Sequence, residues 1–173
     1  ICLQLDVSQF SVFGIESSKI NIVNGFDWLN KIKKGSKYDL VLGDLPLGMG
    51  REDCEFGTHK FKTRSNWALI LSSLHFLKEN GFGIFLVEPT GFGTREGANF
   101  EEALNSGGFF VNAIFNAPES LLAPSTGITP IFVIISKKRT NTVFIAELLN
   151  EVQSKQVAHN YFSLTGRSDL AYG

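Results

Sequence analysis

The sequence has little of several things that would mark it for a function. Its 173 residues include only two cysteines, Cys2 and Cys54. They show no C-x-x-C spacing and have no histidine close by, which argues against a zinc site and fits a reduced cytoplasmic chain. His59, His75 and His159 likewise lack metal-ligand spacing, so no metal is expected. Neither charge sign dominates: 16 Lys and Arg stand against 17 Asp and Glu, a net charge of −1. A strongly basic nucleic-acid module is not indicated, although local basic patches remain open. No run approaches the roughly 18 apolar residues of a membrane span, and no secretory signal pattern is present. There is no internal repeat and no low-complexity linker. No G-x-G-x-x-G opens a helix after a strand, which argues against a dinucleotide-dependent oxidoreductase.

What is present is a foldable, aromatic-rich chain, 43% hydrophobic with 16 phenylalanines and 17 glycines. Its length suits one domain, taken here as residues 1–173. Residues 1–13 carry both a strand alternation (Ile1, Leu3, Leu5, Val7) and a helical face (Leu3, Val7, Phe10), with a lean to helix stopped at Gly14. The pattern then predicts a strand over 19–25 and a short helix or turn over 26–34. "YDLVLGD" at 38–44 reads as an apolar strand of the buried, parallel type. A polar loop is expected over 48–65. A helix should run from about Asn66 to Lys78, with Trp67, Ile70, Leu71, Leu74 and Leu77 at helical spacing. Ser65 or Asn66 can cap it, and Asn80-Gly81 should end it. Strands are predicted at 82–89, 109–118 and 128–138, and a helix at 98–106. "TVFIAELL" would be a last short strand before a tail with no clear pattern. This alternation argues for an open α/β sheet, in which ligands bind beyond the carboxyl ends of the strands. Asp44 and Glu88 both fall at such ends.

The corner "GDLPLG" at 43–48 carries the most chemistry. Asp44 offers carboxylate oxygens. Pro46 fixes its own φ and keeps Leu45 out of the helical region, so the Leu45 carbonyl becomes a rigidly aimed acceptor. Two such acceptors can hold an exocyclic amine by its two N–H groups and leave its lone pair free to attack an electrophile. A simple strand-to-loop turn would use the same residues.

Three further stretches join this corner. "YDLVLGDLPLG" resembles the Asp/Asn-Pro-Pro-Tyr/Phe region of the amino-methyltransferases. "NWALILSSLHFLKENGFGIFLVEPTGFG" resembles their following helix, turn and strand, and "IFNAPESLLAPSTGITPIFVIISKKR" their later Thr-Gly-Ile corner and strand. With "GIESSKINIVNGFDWL", the resemblance covers about residues 1–147 and is greatest to the adenine-N6 DNA methylase subunits of type I restriction-modification systems. It implies an α/β, Rossmann-like S-adenosylmethionine-dependent methyltransferase sheet, mostly parallel with an antiparallel C-terminal strand. It also implies S-adenosylmethionine as cofactor, DNA as substrate, and specificity and restriction subunits as partners.

Carried over by position, the resemblance makes Asp44 and the Leu45 carbonyl acceptors for the target amine and Pro46 the holder of the corner. Leu47 stands where the family has the ring that stacks on a flipped-out base. That ring is worth about 1–3 kcal/mol, and leucine has no π-face; Phe56 or Phe61 could stand in. Phe26 and Asp27, in "NGFD", fall where the cofactor's adenine would lie, although Asp27 also suits a helix cap. Arg51, Lys60, Lys62 and Arg64 would suit phosphate contacts, diluted by Glu52, Asp53 and Glu55. Ser125-Thr126-Gly127 reads as a turn. The family's glycine-rich cofactor loop is not found before residue 35. The sheet is therefore expected to lack its N-terminal cofactor-loop strands, the full protein to be longer, and the chain alone not to bind S-adenosylmethionine tightly. An RNA guanine-N2 methyltransferase and a catalytically inactive methyltransferase-like module are the alternatives.

Overall fold

The computed structural model describes residues 37–45, 47, 48 and 50–163. The expectations for 1–36, including Phe26 and Asp27, lie outside the described residues, as does Pro46. Among the described residues, seven strands and three helices follow in order: β1 (Tyr38–Asp44), β2 (Arg51–Phe56), β3 (His59–Arg64), α1 (Ser65–Leu74), β4 (Leu77–Val87), α2 (Arg95–Ser106), β5 (Phe110–Asn116), β6 (Ile131–Ser136), β7 (Phe144–Glu147) and α3 (Glu151–Ser163). Five strands make one sheet in the order β1-β4-β6-β5-β7. β1 runs parallel to β4, and β5 parallel to β7, while β6 lies antiparallel between β4 and β5. Four strands therefore point one way and β6 opposes them. The expected antiparallel strand is this one, inserted into the sheet rather than closing it.

Helix α1 buries Trp67, Ile70, Leu71 and Leu74 completely, the apolar stripe that the sequence spacing announces. They pack with Phe85 and Val87 of β4, Val133 and Ile135 of β6, and Phe100 and Leu104 of α2 in one core. The opposite face of the sheet carries a smaller cluster, in which Val157 of α3 meets Ala113, Phe115, Ile134 and Ala146. The tail with no clear sequence pattern thus contains a helix, Glu151–Ser163, that covers the second face. Its start is capped by Asn150 Oδ1, which accepts from Gln153 N at 3.0 Å.

Four expectations need correction. The polar loop at 48–65 is a β-hairpin, with β2 and β3 paired antiparallel from Arg51↔Arg64 to Phe56↔His59. Its two-residue link, Gly57-Thr58, puts Gly57 at φ 59°, as a primed hairpin turn requires. Second, α1 ends at Leu74, and Leu77 belongs to β4, which begins before Asn80-Gly81 instead of after it. The register jumps from Tyr38↔Leu77 to Leu40↔Phe82, so β4 carries extra residues opposite Asp39. A Cβ on Gly81 would lie 2.9 Å from the Tyr38 carbonyl oxygen and 3.0 Å from that of Asp39, so the glycine permits close backbone approach instead of a turn. Third, β1 is parallel as expected but not buried: Leu42 is 69% exposed and Leu40 45%. Among the described residues it is an edge strand, and only Val41 faces the core. Fourth, α2 starts three residues early, at Arg95, because Thr94 caps it by accepting from Gly97 N at 3.3 Å.

Candidate functional site

Parallel pairing brings the carboxyl ends of β1 and β4 to the same edge of the sheet. Asp44 stands opposite Leu86, and Leu45 N donates to Leu86 O at 3.5 Å. Glu88 follows two residues further along β4. The sequence placed both acids at strand ends, and the structure makes those ends neighbours, on strands about 4.8 Å apart.

Their environments differ. Among the described residues, Asp44 has no ion-pair or hydrogen-bond partner. Partial burial nevertheless pushes its carboxyl above the usual aspartate value of 3.8. Among the same residues, nothing donates to the Leu45 carbonyl. Among the described residues, two acceptors without partners therefore follow one another in the chain where β1 leaves the sheet. Leu47, next along the corner, is partly buried.

Glu88 is 4% exposed and fully engaged. Its Oε1 accepts from Arg64 Nη1 at 2.6 Å and its Oε2 from Asn66 Nδ2 at 3.0 Å. Arg64 also donates through Nη2 to the Thr90 carbonyl at 2.7 Å and through Nη1 to Thr90 Oγ1 at 3.3 Å. Its Nε lies 3.5 Å from Glu96 Oε2, and the guanidinium sits 5.6 Å from the centre of the Trp67 ring. Arg51 Nη2 donates to the same Glu96 oxygen at 3.0 Å. Glu96 lies in the first turn of α2, where the helix dipole favours a carboxylate. Two guanidiniums and two carboxylates thus join the end of the hairpin, the end of β4 and the start of α2.

This network reassigns residues that the sequence offered for phosphate contact. Arg64 is an internal ion-pair partner. Arg51 is held at Glu96 but keeps 61% of its side chain exposed. Lys60 pairs with Glu55, directly opposite across the hairpin, at 2.8 Å. Lys62 is exposed and stands opposite Asp53. The outer face of the hairpin therefore alternates in charge instead of forming a basic patch. Phe56 is a core residue at 3% exposure, and Phe61 packs against the same core, so neither ring is free to replace the aromatic at Leu47. Ser65 Oγ, expected as a helix cap, donates to Gly50 O at 3.0 Å instead. Asn66 Oδ1 accepts from Trp67 N at 2.9 Å. Thr126 Oγ1 accepts from Ile128 N at 3.2 Å, the hydrogen bond of a serine/threonine turn.

Sequence reasoning missed the Arg64–Glu88–Asn66 set because its members lie 22 and 24 residues apart. The available signal was the strict alternation of "HKFKTR", which identifies a strand and so places Arg64 at its end. Among the described residues, no group of His, Cys, Asp and Glu could hold a metal ion, and no helix is long and apolar enough to cross a membrane.

No family model matches the chain, and no curated protein matches it in sequence. Solved structures do match its fold. The type I restriction-modification methyltransferase subunit from Streptococcus thermophilus aligns over 94% of this chain and 40% of its own length, with TM-score 0.69 and 15% identity. A modification subunit described for a type I restriction enzyme of Vibrio vulnificus aligns over 83% of this chain and 35% of its own, with TM-score 0.58 and 17% identity. A protein described as a class I S-adenosylmethionine-dependent methyltransferase from Listeria monocytogenes aligns over 76% of this chain and 42% of its own, with TM-score 0.57 and 21% identity. The chain has the fold of S-adenosylmethionine-dependent methyltransferases and spans about two fifths of the length of these structures.

Proposed function

We propose that the chain is part of a methyltransferase that transfers a methyl group from S-adenosylmethionine to the exocyclic N6 amine of adenine in DNA, within a restriction-modification system. One observation carries the reading most. At the carboxyl end of β1, in a methyltransferase fold, the Asp44 carboxylate and the Leu45 carbonyl are adjacent acceptors without partners among the described residues. Elsewhere at this edge, the buried acid Glu88 is fully satisfied.

The arrangement suits an amine. Asp44 would accept one N–H and the Leu45 carbonyl the other, which aims the nitrogen lone pair away from both. S-adenosylmethionine would supply the methyl group as the electrophile. Its positive sulfonium is matched by a partly desolvated, unpartnered carboxylate at the same edge. Pro46 would hold the corner, and Phe26 and Asp27 are the residues proposed for the cofactor's adenosine. DNA phosphates would meet Lys60 and Lys62, while Arg51 and Arg64 hold the site from within through Glu96. Specificity and restriction subunits would be partners, since two of the similar structures are type I modification subunits. A DNA substrate would suit a cytoplasmic protein.

A second reading is supported by Leu47. With Phe56 and Phe61 committed to the core, no ring from the hairpin can stack on a flipped base, which favours a binding module without turnover. An RNA guanine-N2 methyltransferase would use the same corner.

Expression of the encoding gene in cells without N6-methyladenine, followed by nucleoside mass spectrometry of DNA and tRNA, separates the three. N6-methyladenine in DNA that disappears in Asp44→Ala is the expected result. N2-methylguanine in tRNA would replace the substrate, and no new methylated nucleoside in either would leave the binding module.

A further inference from the structure

The segment from Leu45 to Gly50 follows Asp44 out of β1, and its two ends are held differently. At its entry, the hold is one backbone bond, Leu45 N to Leu86 O at 3.5 Å, together with packing of the Leu45 side chain on the core. At its exit, Gly50 O accepts twice, from Ser65 N at 2.9 Å and Ser65 Oγ at 3.0 Å. The residues flanking these two are Arg51 and Arg64, and both reach Glu96 Oε2, at 3.0 and 3.5 Å. Arg64 continues to Glu88 and Thr90 at the end of β4. The exit is thus tied by side chains to the two elements, β4 and α2, that flank the corner's edge of the sheet.

We propose that the ion-pair chain Arg51–Glu96–Arg64–Glu88 is a positioning clamp for the corner, in which Arg51 is the adjustable member. This rests on the reading of the corner as the amine-holding site. Three features favour a positioning role over one in the fold's stability alone. The chain is electroneutral, so it brings no net charge to the corner. Glu96 uses a single oxygen for both guanidiniums, while its Oε1 is buried without a partner, so Arg51 holds by one contact that can be made or lost. Arg51 is largely exposed, whereas Arg64 and Glu88 are not, so the outer contact can be cut while the buried ones persist. None of the four residues touches the amine; they act through the Gly50–Ser65 junction on Asp44 and Leu45.

The test uses Arg51→Met, with Arg51→Lys as the conservative variant and Arg64 left intact to preserve the fold. Two readouts are needed: amide hydrogen exchange over 45–50 compared with β4, and kcat and KM for methyl transfer to nucleic acid. In Arg51→Met, exchange should quicken over 45–50 and not in β4. kcat should fall by on the order of tenfold to a hundredfold with KM and thermal midpoint unchanged, since small misplacements in a site have effects of that order. Arg51→Lys should recover part of both. Unchanged exchange over 45–50 would overturn the clamp, as would quicker exchange with an unchanged kcat. A rise in KM with a salt slope reduced by about one would make Arg51 a phosphate contact instead. A wild-type protein that transfers no methyl group would defeat the functional reading separately, and the exchange measurement would still decide whether the clamp holds the corner.

Discussion

Asp44 and Glu88 end neighbouring parallel strands of similar composition, "YDLVLGD" and "FGIFLVE", and prolines follow each at close range. By sequence they are almost interchangeable. In the fold, one is exposed at the end of an edge strand with no partner among the described residues. The other is 4% exposed with both oxygens engaged. A carboxylate without partners among the described residues, at a strand end where partial burial raises its pKa, has the perturbed environment expected of a functional group. A carboxylate with an arginine and an amide around it already has its task, which is to join three elements. Among the described residues, what separates the two is what returns to each strand end: the hairpin, through Arg64, returns to β4 and not to β1.

The comparison breaks most sharply at Glu88. Glu88→Ala would leave the Arg64 guanidinium, only 23% exposed, without its closest partner, and should destabilise the protein by about 3–5 kcal/mol in urea unfolding. Asp44→Ala should not destabilise it at all. If both substitutions cost the same stability, the two acids are not different in kind.

Activity should show the reverse. Asp44→Asn keeps the shape but weakens one of two acceptors, and kcat should fall on the order of 10²–10³-fold, the usual effect of removing a preorganised hydrogen-bond group. Stability should move the other way. The fold raises the Asp44 pKa, so it disfavours the ionised form. That cost is fully present above the raised pKa and gone below the unfolded value of 3.8. Asp44→Asn should therefore be slightly more stable than wild type at neutral pH, with the gain closing as pH falls through the raised pKa. A variant that is less stable at neutral pH would give Asp44 a structural role.

A smaller effect is expected where the two strands come into register. Gly81→Ala would drive a Cβ into the Tyr38 and Asp39 carbonyl oxygens, which are backbone and cannot swing away. A cost of about 1–3 kcal/mol is expected, with β1 peptides losing exchange protection before β6 peptides do. Uniform loss of protection would mean that β1 does not depend on this approach.

These particulars show what the sequence could tell. The apolar stripe of α1, the strand cores around Phe85 and Val133, and the acids at two strand ends were legible because periodicity and punctuation are local. The hairpin was read as a loop because its charged residues hide a period-2 alternation, in which Cys54, Phe56, Phe61 and Thr63 face inward. The exposure of β1 was not legible, since an apolar run looks the same at a sheet's edge as at its centre. Nor was the engagement of Arg64, whose partners come from the end of β4 and the start of α2. The corner proposed to hold the amine could be named from "GDLPLG", but that Asp44 and the Leu45 carbonyl have no partners among the described residues could only be seen in the fold.

The smallest expected effect lies at the other end of the same strand pair. There Tyr38 N donates to Phe76 O at 2.7 Å, and the Lys37 ammonium donates to the His75 carbonyl. The His75 ring packs on Phe56 with centroids 5.0 Å apart. Burial, and then the nearby Lys37 charge, hold its pKa below the usual 6.5. Above 6.5 the ring is neutral folded or unfolded and contributes nothing to a pH dependence. As pH falls below that value the unfolded chain takes up the proton first, so stability is lost, with the loss complete below the folded pKa. His75→Gln removes the titration, and its unfolding midpoint should fall less than that of wild type between about pH 7 and about pH 5. The difference should be a fraction of the Glu88 effect and should shrink in Lys37→Met, which deletes one of its two causes. Parallel midpoint curves for wild type and His75→Gln would mean that the ring is as free to charge in the fold as outside it.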